Sequence, residues 1–161
     1  MPDNSHGSGP TDDQLLAFGR LHFLASYCPV HSKYPAFALR RLFVPALNNG
    51  CVRFFENEEK QVCASLIWAR LSKDVSERMI YDREPPTEEN WASGETLWFI
   101  DLMAPFGQAG QLARHLARNP PPEPFYFARL DGAVDVRKIV CGDRTRPRKR
   151  RLRVYGFGEW G

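Results

Sequence analysis

The folds open to this chain are limited most by one stretch, an apolar run broken by a single carboxylate and closed by a glycine loop: Leu97-Trp98-Phe99-Ile100-Asp101-Leu102-Met103-Ala104, then Pro105-Phe106-Gly107-Gln108-Ala109-Gly110. Aromatic and branched side chains over 97–104, stopped by Pro105, predict a buried strand rather than a helix. A carboxylate inside such a strand is costly unless it is paired, so Asp101 requires a hydrogen-bonding or cationic partner, or a cleft where the strand opens. Residues 111–118 combine good helix formers with basic residues late in the segment, which predicts a helix. The unit reads strand, glycine turn, helix. Backbone N–H groups at such a helix start suit a phosphate, although a Gly-x-x-Gly turn commonly does no more than connect two elements.

Upstream, Thr11-Asp12-Asp13-Gln14 has capping-box spacing and introduces Leu15, Leu16, Phe18, Leu21 and Leu24 at helical intervals, predicting a first helix over 13–27. Pro29 and Pro35 frame a stiffened loop that displays His31. A second helix is predicted over 36–47, then strands over 51–55 and 61–71 joined by the polar turn Asn57-Glu58-Glu59-Lys60, and a short helix over 72–82. Beyond the helix at 111–118, strands are predicted over 125–130 and 134–140 around the turn Asp131-Gly132, and residues 152–160 either add a last strand or trail off. The order of elements implies a mixed α/β layer fold in one domain over 13–161, preceded by a flexible polar tail over 1–12.

At 161 residues, 43% apolar and 12% aromatic, the chain can bury a core. It has no apolar run of transmembrane length and no basic-then-apolar order at its start, so a cytoplasmic protein is expected. Cys28, Cys51, Cys63 and Cys141 are scattered without a Cys-x-x-Cys pair, suggesting thiols rather than a disulfide framework or zinc cluster, and no metal is called for. The net charge of +3 is unevenly placed, because Arg144, Arg146, Arg148, Lys149, Arg150, Arg151 and Arg153 crowd one segment that wants an anionic partner or open solvent.

Of the four histidines only His31 lies on a rigid loop, and an imidazole suits proton transfer at neutral pH. If His31 and Asp101 meet, the carboxylate orients the imidazole and stabilises its protonated form, the logic of a general base. Cys28, three residues before His31, offers the alternative of a thiol nucleophile, against the ordinary role of a small core residue. Arg129, charged within an apolar strand, is either on an exposed face or paired with a phosphate or carboxylate.

The segments Trp91-Ala92-Ser93-Gly94, Trp98-Phe99-Ile100-Asp101 and Ala104-Pro105-Phe106-Gly107 closely resemble the signature of the toxin-activating lysine acyltransferases, the partners of hemolysin-type RTX protoxins. Cys28-Pro29-Val30-His31 before Tyr34-Pro35 resembles the family's N-terminal histidine segment, and Val44-Pro45-Ala46, residues 65–69 and Arg129-Leu130-Asp131 also fit, so that the similarity covers about residues 14–140. The resemblance implies a fold like the N-acetyltransferase (GNAT) superfamily, with a mixed, mostly antiparallel sheet flanked by helices. It implies transfer of a fatty acyl group from acyl carrier protein to internal lysines of a protoxin, with the catalytic histidine on His31 and its aspartate on Asp101. No cofactor stays bound; the 4'-phosphopantetheine thioester of the carrier is a co-substrate, its phosphate expected on Gly107, Gln108, Ala109, Gly110 and Gln111. The sequence departs from the family at the serine-like position three before the histidine, which is Cys28 here, and in the arginine-rich segment 144–153, which has no clear counterpart. That segment is a docking face for the acidic carrier or a solvated tail. A homodimer is left open. Two other readings stand beside this one: an acyl-coenzyme A-dependent acyltransferase acting on a small amine, and a nucleic-acid-binding module built on 144–153, for which no base-stacking motif is present.

Overall fold

The structure, a computed structural model, describes residues 9–131 and 135–156. Its frame is one six-stranded sheet in the order β1 (Val52–Glu56), β2 (Val62–Leu71), β3 (Thr96–Met103), β4 (Phe125–Asp131), β5 (Asp135–Gly142) and β6 (Leu152–Gly156). All neighbours are antiparallel except β3 and β4, which run parallel across α4 (Ala109–Arg118). The mixed, mostly antiparallel sheet expected from the sequence is therefore present, and residues 152–156 do add a strand. The expected turn at Asp131-Gly132 lies outside the described residues beyond Asp131, as does the tail up to residue 8.

Local chemistry sets the elements. The capping box is formed at the start of α1 (Asp12–Tyr27): Gln14 N–H donates to Thr11 Oγ1 at 3.2 Å and Thr11 N–H to Gln14 Oε1 at 2.8 Å. Pro29 ends that helix, and a single 3-10 turn, His31–Lys33, leads into α2 (Ala36–Asn48), which continues through Pro45. In the β1–β2 turn Asn57 Oδ1 accepts the N–H groups of Glu59 and Gln61, and Lys60 takes a left-handed φ of 61°. Ser72 caps α3 (Lys73–Tyr81) through Val75 N–H. The helix expected over 111–118 begins two residues earlier, at Ala109, which places Gly110 inside its first turn.

Helices α1, α2 and α3 share one core with the sheet, built from Leu21, Leu24, Phe43, Ile67, Trp98 and Met103 among others. Helix α4 covers the other face but buries only Leu112. The segment Trp91-Ala92-Ser93-Gly94 fixes where β3 begins. Trp91, 1% exposed, donates Nε1–H to Trp68 O at 2.9 Å, and Ser93 Oγ accepts Ser72 N–H at 3.0 Å. A Cβ on Gly94 would lie 2.5 Å from the Ser72 backbone, so only glycine fits. Trp98 then donates to Ser76 Oγ at 2.9 Å, tying the buried face of β3 to α3.

Candidate active site

The local geometry of β3 decides where Asp101 points. Trp98 and Met103 both lie in the core beneath α1 and α2, whereas Phe99 and Leu102 both line a cleft beside α4. Trp98 and Met103 are five positions apart, an odd number, so strict alternation would put them on opposite faces. The register against β2 supplies the reason: Ile67 pairs with Asp101 but Trp68 pairs with Phe99, leaving Ile100 as an extra residue in β3. This bulge flips everything after it, and Asp101 joins the α1–α2 face instead of the α4 face.

On that face it meets His31. Nε2 of His31 lies 2.8 Å from Asp101 Oδ1, across 70 positions of sequence, with side chains 13% and 17% exposed. The imidazole is held by its loop. Ser32 N–H donates to Cys28 O at 2.9 Å, Tyr34 N–H to His31 O at 3.0 Å, and the Tyr34 ring stands edge-on to the imidazole at 5.9 Å. With Nε2–H donated to the carboxylate, Nδ1 carries the free lone pair, so the pair is arranged to accept a proton there and to stabilise the resulting imidazolium. The second carboxylate oxygen, Oδ2, is buried and has no partner among the described residues.

The other predicted residues fall into three groups. Cys28 is buried near Asp101, and burial together with the Asp101 charge holds its thiol above the ordinary cysteine range, the reverse of what an activated nucleophile requires. Arg129 lies exposed opposite Lys138 of β5, with no ion pair among the described residues, which is the exposed-face alternative. Gly107, with φ of 90°, turns the chain out of β3, and Gln108 caps α4 without a side-chain hydrogen bond, leaving its first N–H groups open to a ligand. Gln108 and Gln111 also line a cleft of about 630 Å³ in which Glu56, Glu58 and Glu59 outnumber Arg53 and His115.

Two features had no single-residue signal in the sequence. The bulge at Ile100 sits in a continuously apolar run, so no alternation reveals it. The arginines of 144–153 also do not stand alone: Arg144, Arg148 and Arg151 line a cleft of about 370 Å³ together with Arg114 and Arg118 of α4. The i,i+4 spacing of the last two was the available clue. Asp143 in the same cleft is occupied, its carboxyl held below the usual range first by the Thr145 hydroxyl and also by Arg146, 3.1 Å away.

A mixed sheet carrying an imidazole on a carboxylate at a strand bulge, beside an apolar cleft, can take a proton from an incoming nucleophile, a chemistry suited to group transfer. The group is acyl: residues 11–140 match the RTX toxin acyltransferase family, and the chain belongs to that family. It is 30% identical over 127 residues to the protein-lysine myristoyltransferase HlyC of Escherichia coli, covering 78% of this chain and 71% of that protein. It is 30% identical over 121 residues to the RTX-I toxin-activating lysine-acyltransferase ApxIC of Actinobacillus pleuropneumoniae, covering 75% and 70%. It is 26% identical over 127 residues to the protein-lysine myristoyltransferase RtxC of Kingella kingae, covering 79% and 75%. Among the described residues no helix is long and apolar enough to cross a membrane.

Proposed function

We propose that this acyltransferase moves a fatty acyl chain from acyl carrier protein to internal lysine side chains of an RTX-type protoxin and thereby activates it, with His31 as general base and Asp101 as the carboxylate that orients and charges it. The observation that carries the reading is the 2.8 Å contact between His31 Nε2 and Asp101 Oδ1 at the β3 bulge. A lysine ammonium is a poor nucleophile until it loses a proton. His31 Nδ1 takes that proton, the nitrogen attacks the thioester carbonyl, a C–N bond forms, and the C–S bond breaks. Of the three ammonium protons one stays on the amide, one leaves with the phosphopantetheine thiol, and one passes through His31 to solvent. The β3–β4 ladder stops at Phe99↔Phe127, which frees backbone N–H groups of the following β3 residues for the developing oxyanion.

The donor's phosphate is assigned to the exposed side of the turn Gly107 to Gln111, away from the acidic cleft, where glycine allows close approach and α4 offers uncapped N–H groups. Helix α4, ten residues and about 15 Å long, separates this turn from the five-arginine cleft. A carrier seated along α4 therefore reaches both, its acidic surface meeting Arg114, Arg118, Arg144, Arg148 and Arg151. The single parallel pair β3–β4, joined through a glycine turn and a helix, supports the GNAT-like relationship. Four free cysteines and a carrier-bound donor support a cytoplasmic site of action.

The test incubates the protein with acylated carrier and a protoxin and locates acyl-lysines by mass spectrometry. Lysine acylation that is lost in His31→Ala is the expected result. No transfer by the parent protein, or preference for acyl-coenzyme A and small amines over carrier and protoxin, would overturn the assignment.

A further inference from the structure

We infer that the cleft between α4 and the sheet is the binding site of the donor's fatty acyl chain, and that α4 sets the chain length; this rests on the proposed acyl transfer. The cleft has a volume of about 450 Å³, within the range of small-molecule sites. Its walls are apolar with one exception. Phe99, Phe125 and Phe127 form the sheet side, Ala113, Leu116 and Ala117 the helix side, and among the described residues Asp101 is the only charged one lining it. A phosphate or an amide-bearing arm finds little to bond there, whereas an alkyl chain is the wholly apolar part of the donor.

The cleft meets the reacting atoms at one end. Ile100 and Ala128 pack against the core beneath α1 and α2, yet both also line this cleft on the α4 side. β3 stops pairing with β4 beyond Phe99↔Phe127, and the inferred route between the two faces runs through the gap this leaves. Asp101, bonded to His31 on one side of the sheet, borders the cleft through that gap. A carbonyl held at the gap presents its carbon to a nucleophile deprotonated by His31 while its chain extends under α4.

The helix is built to leave this space. Of its ten residues only Leu112 is buried, and alanines at 113 and 117 stand where larger side chains would fill the cleft. Ala117, Phe125 and Leu152 mark the far end, where the apolar cleft adjoins the arginine cleft, since all three line both. Chain length is therefore limited by the distance from Asp101 to this trio.

The experiment uses carrier protein charged with octanoyl, decanoyl, dodecanoyl or tetradecanoyl chains through a non-hydrolysable amide, and measures Kd for the whole 161-residue chain. Each methylene buried is expected to tighten binding about fourfold until the cleft is full. Ala117→Phe, at an exposed position of α4, is expected to weaken tetradecanoyl binding by about tenfold and to leave octanoyl binding unchanged. Leu152→Trp, on a different element, shifts the preference in the same direction, so a folding defect in one variant does not decide the matter. Affinity independent of chain length, or equal weakening for short and long chains, overturns the cleft assignment. Chain-length-dependent binding without lysine acylation from the natural thioester instead overturns the proposed function and leaves the cleft standing.

Discussion

Replacing Asp101 by Asn tests whether the histidine and the carboxylate act as one unit. Both side chains are largely withdrawn from water and share a 2.8 Å contact, so screening is weak and the hydrogen bond carries the full advantage of charge once the imidazole is protonated. A charge-assisted hydrogen bond contributes about 1.5–3 kcal/mol and a neutral one about 1. Neutralising Asp101 therefore raises the barrier by about 1–2 kcal/mol, a loss of about 5–30-fold in rate. The amide can also turn its NH2 group toward Nε2, which moves the ring proton to Nδ1 and removes the base, extending the loss toward the ~10²–10⁴ expected for His31→Ala. Because Asp101 works only through the imidazole, Asp101→Asn introduced into His31→Ala should cost almost nothing more. The assay is kcat/KM for lysine acylation of a protoxin by intact-mass spectrometry, on the two single variants and the double variant. A single Asp101→Asn variant within twofold of the parent, or losses that multiply in the double variant, would refute the reasoning.

Three further outcomes follow from particular contacts. Gly94→Ala drives a Cβ to 2.5 Å from the Ser72 backbone, which cannot yield as a side chain would; a destabilisation of about 1–3 kcal/mol should appear as a lower melting temperature in calorimetry, without change in kcat for the fraction that is folded. His22 packs between Phe18 and Phe43, and burial holds its imidazole below the ordinary histidine range. Its folded-state value lies below its unfolded one, so stability present above the unfolded value is lost as pH falls through the folded value; thermal melts from neutral to mildly acidic pH should show this loss, and His22→Gln should flatten it. Arg148→Glu with Arg151→Glu leaves three arginines against three carboxylates in the arginine cleft and so cancels its net charge; KM for acylated carrier should rise and lose its salt dependence while kcat is kept, as read by initial rates across ionic strength.

Asp101 was legible as a problem before it was legible as a site. An isolated carboxylate in an apolar strand demands a partner, and His31 is the one histidine that two prolines present on a constrained loop, so both halves of the pair could be named from elementary costs and from the family resemblance. Their contact could not, because it joins residues 70 positions apart. The capping box at Thr11, the Asn57 turn and the strand at 97–104 follow from short-range rules and were found to within one or two residues. The bulge at Ile100 left no trace, since an alternation hidden in a run such as Trp98-Phe99-Ile100 cannot be seen to skip. The arginine cleft was half visible: composition marked 144–153, whereas only the fold, which brings α4 and this segment around one cleft, adds Arg114 and Arg118 to it.

The bulge, the short parallel pairing and the under-filled helix have one physical consequence in common. A regular β3 would place Asp101 on the α4 face, away from His31, and a full β3–β4 ladder would seal the sheet between the two faces. The extra residue turns the carboxylate toward the imidazole, and the ladder with β4 ends beside it. In the proposed reaction the two substrates then need not share one entrance: the lysine arrives from the side of α1, α2 and His31, and the acyl chain from beneath α4. Each face keeps the chemistry its substrate requires, a charged pair for the ammonium and an apolar cleft for the chain, and the strand gap at Asp101 is the place where they meet.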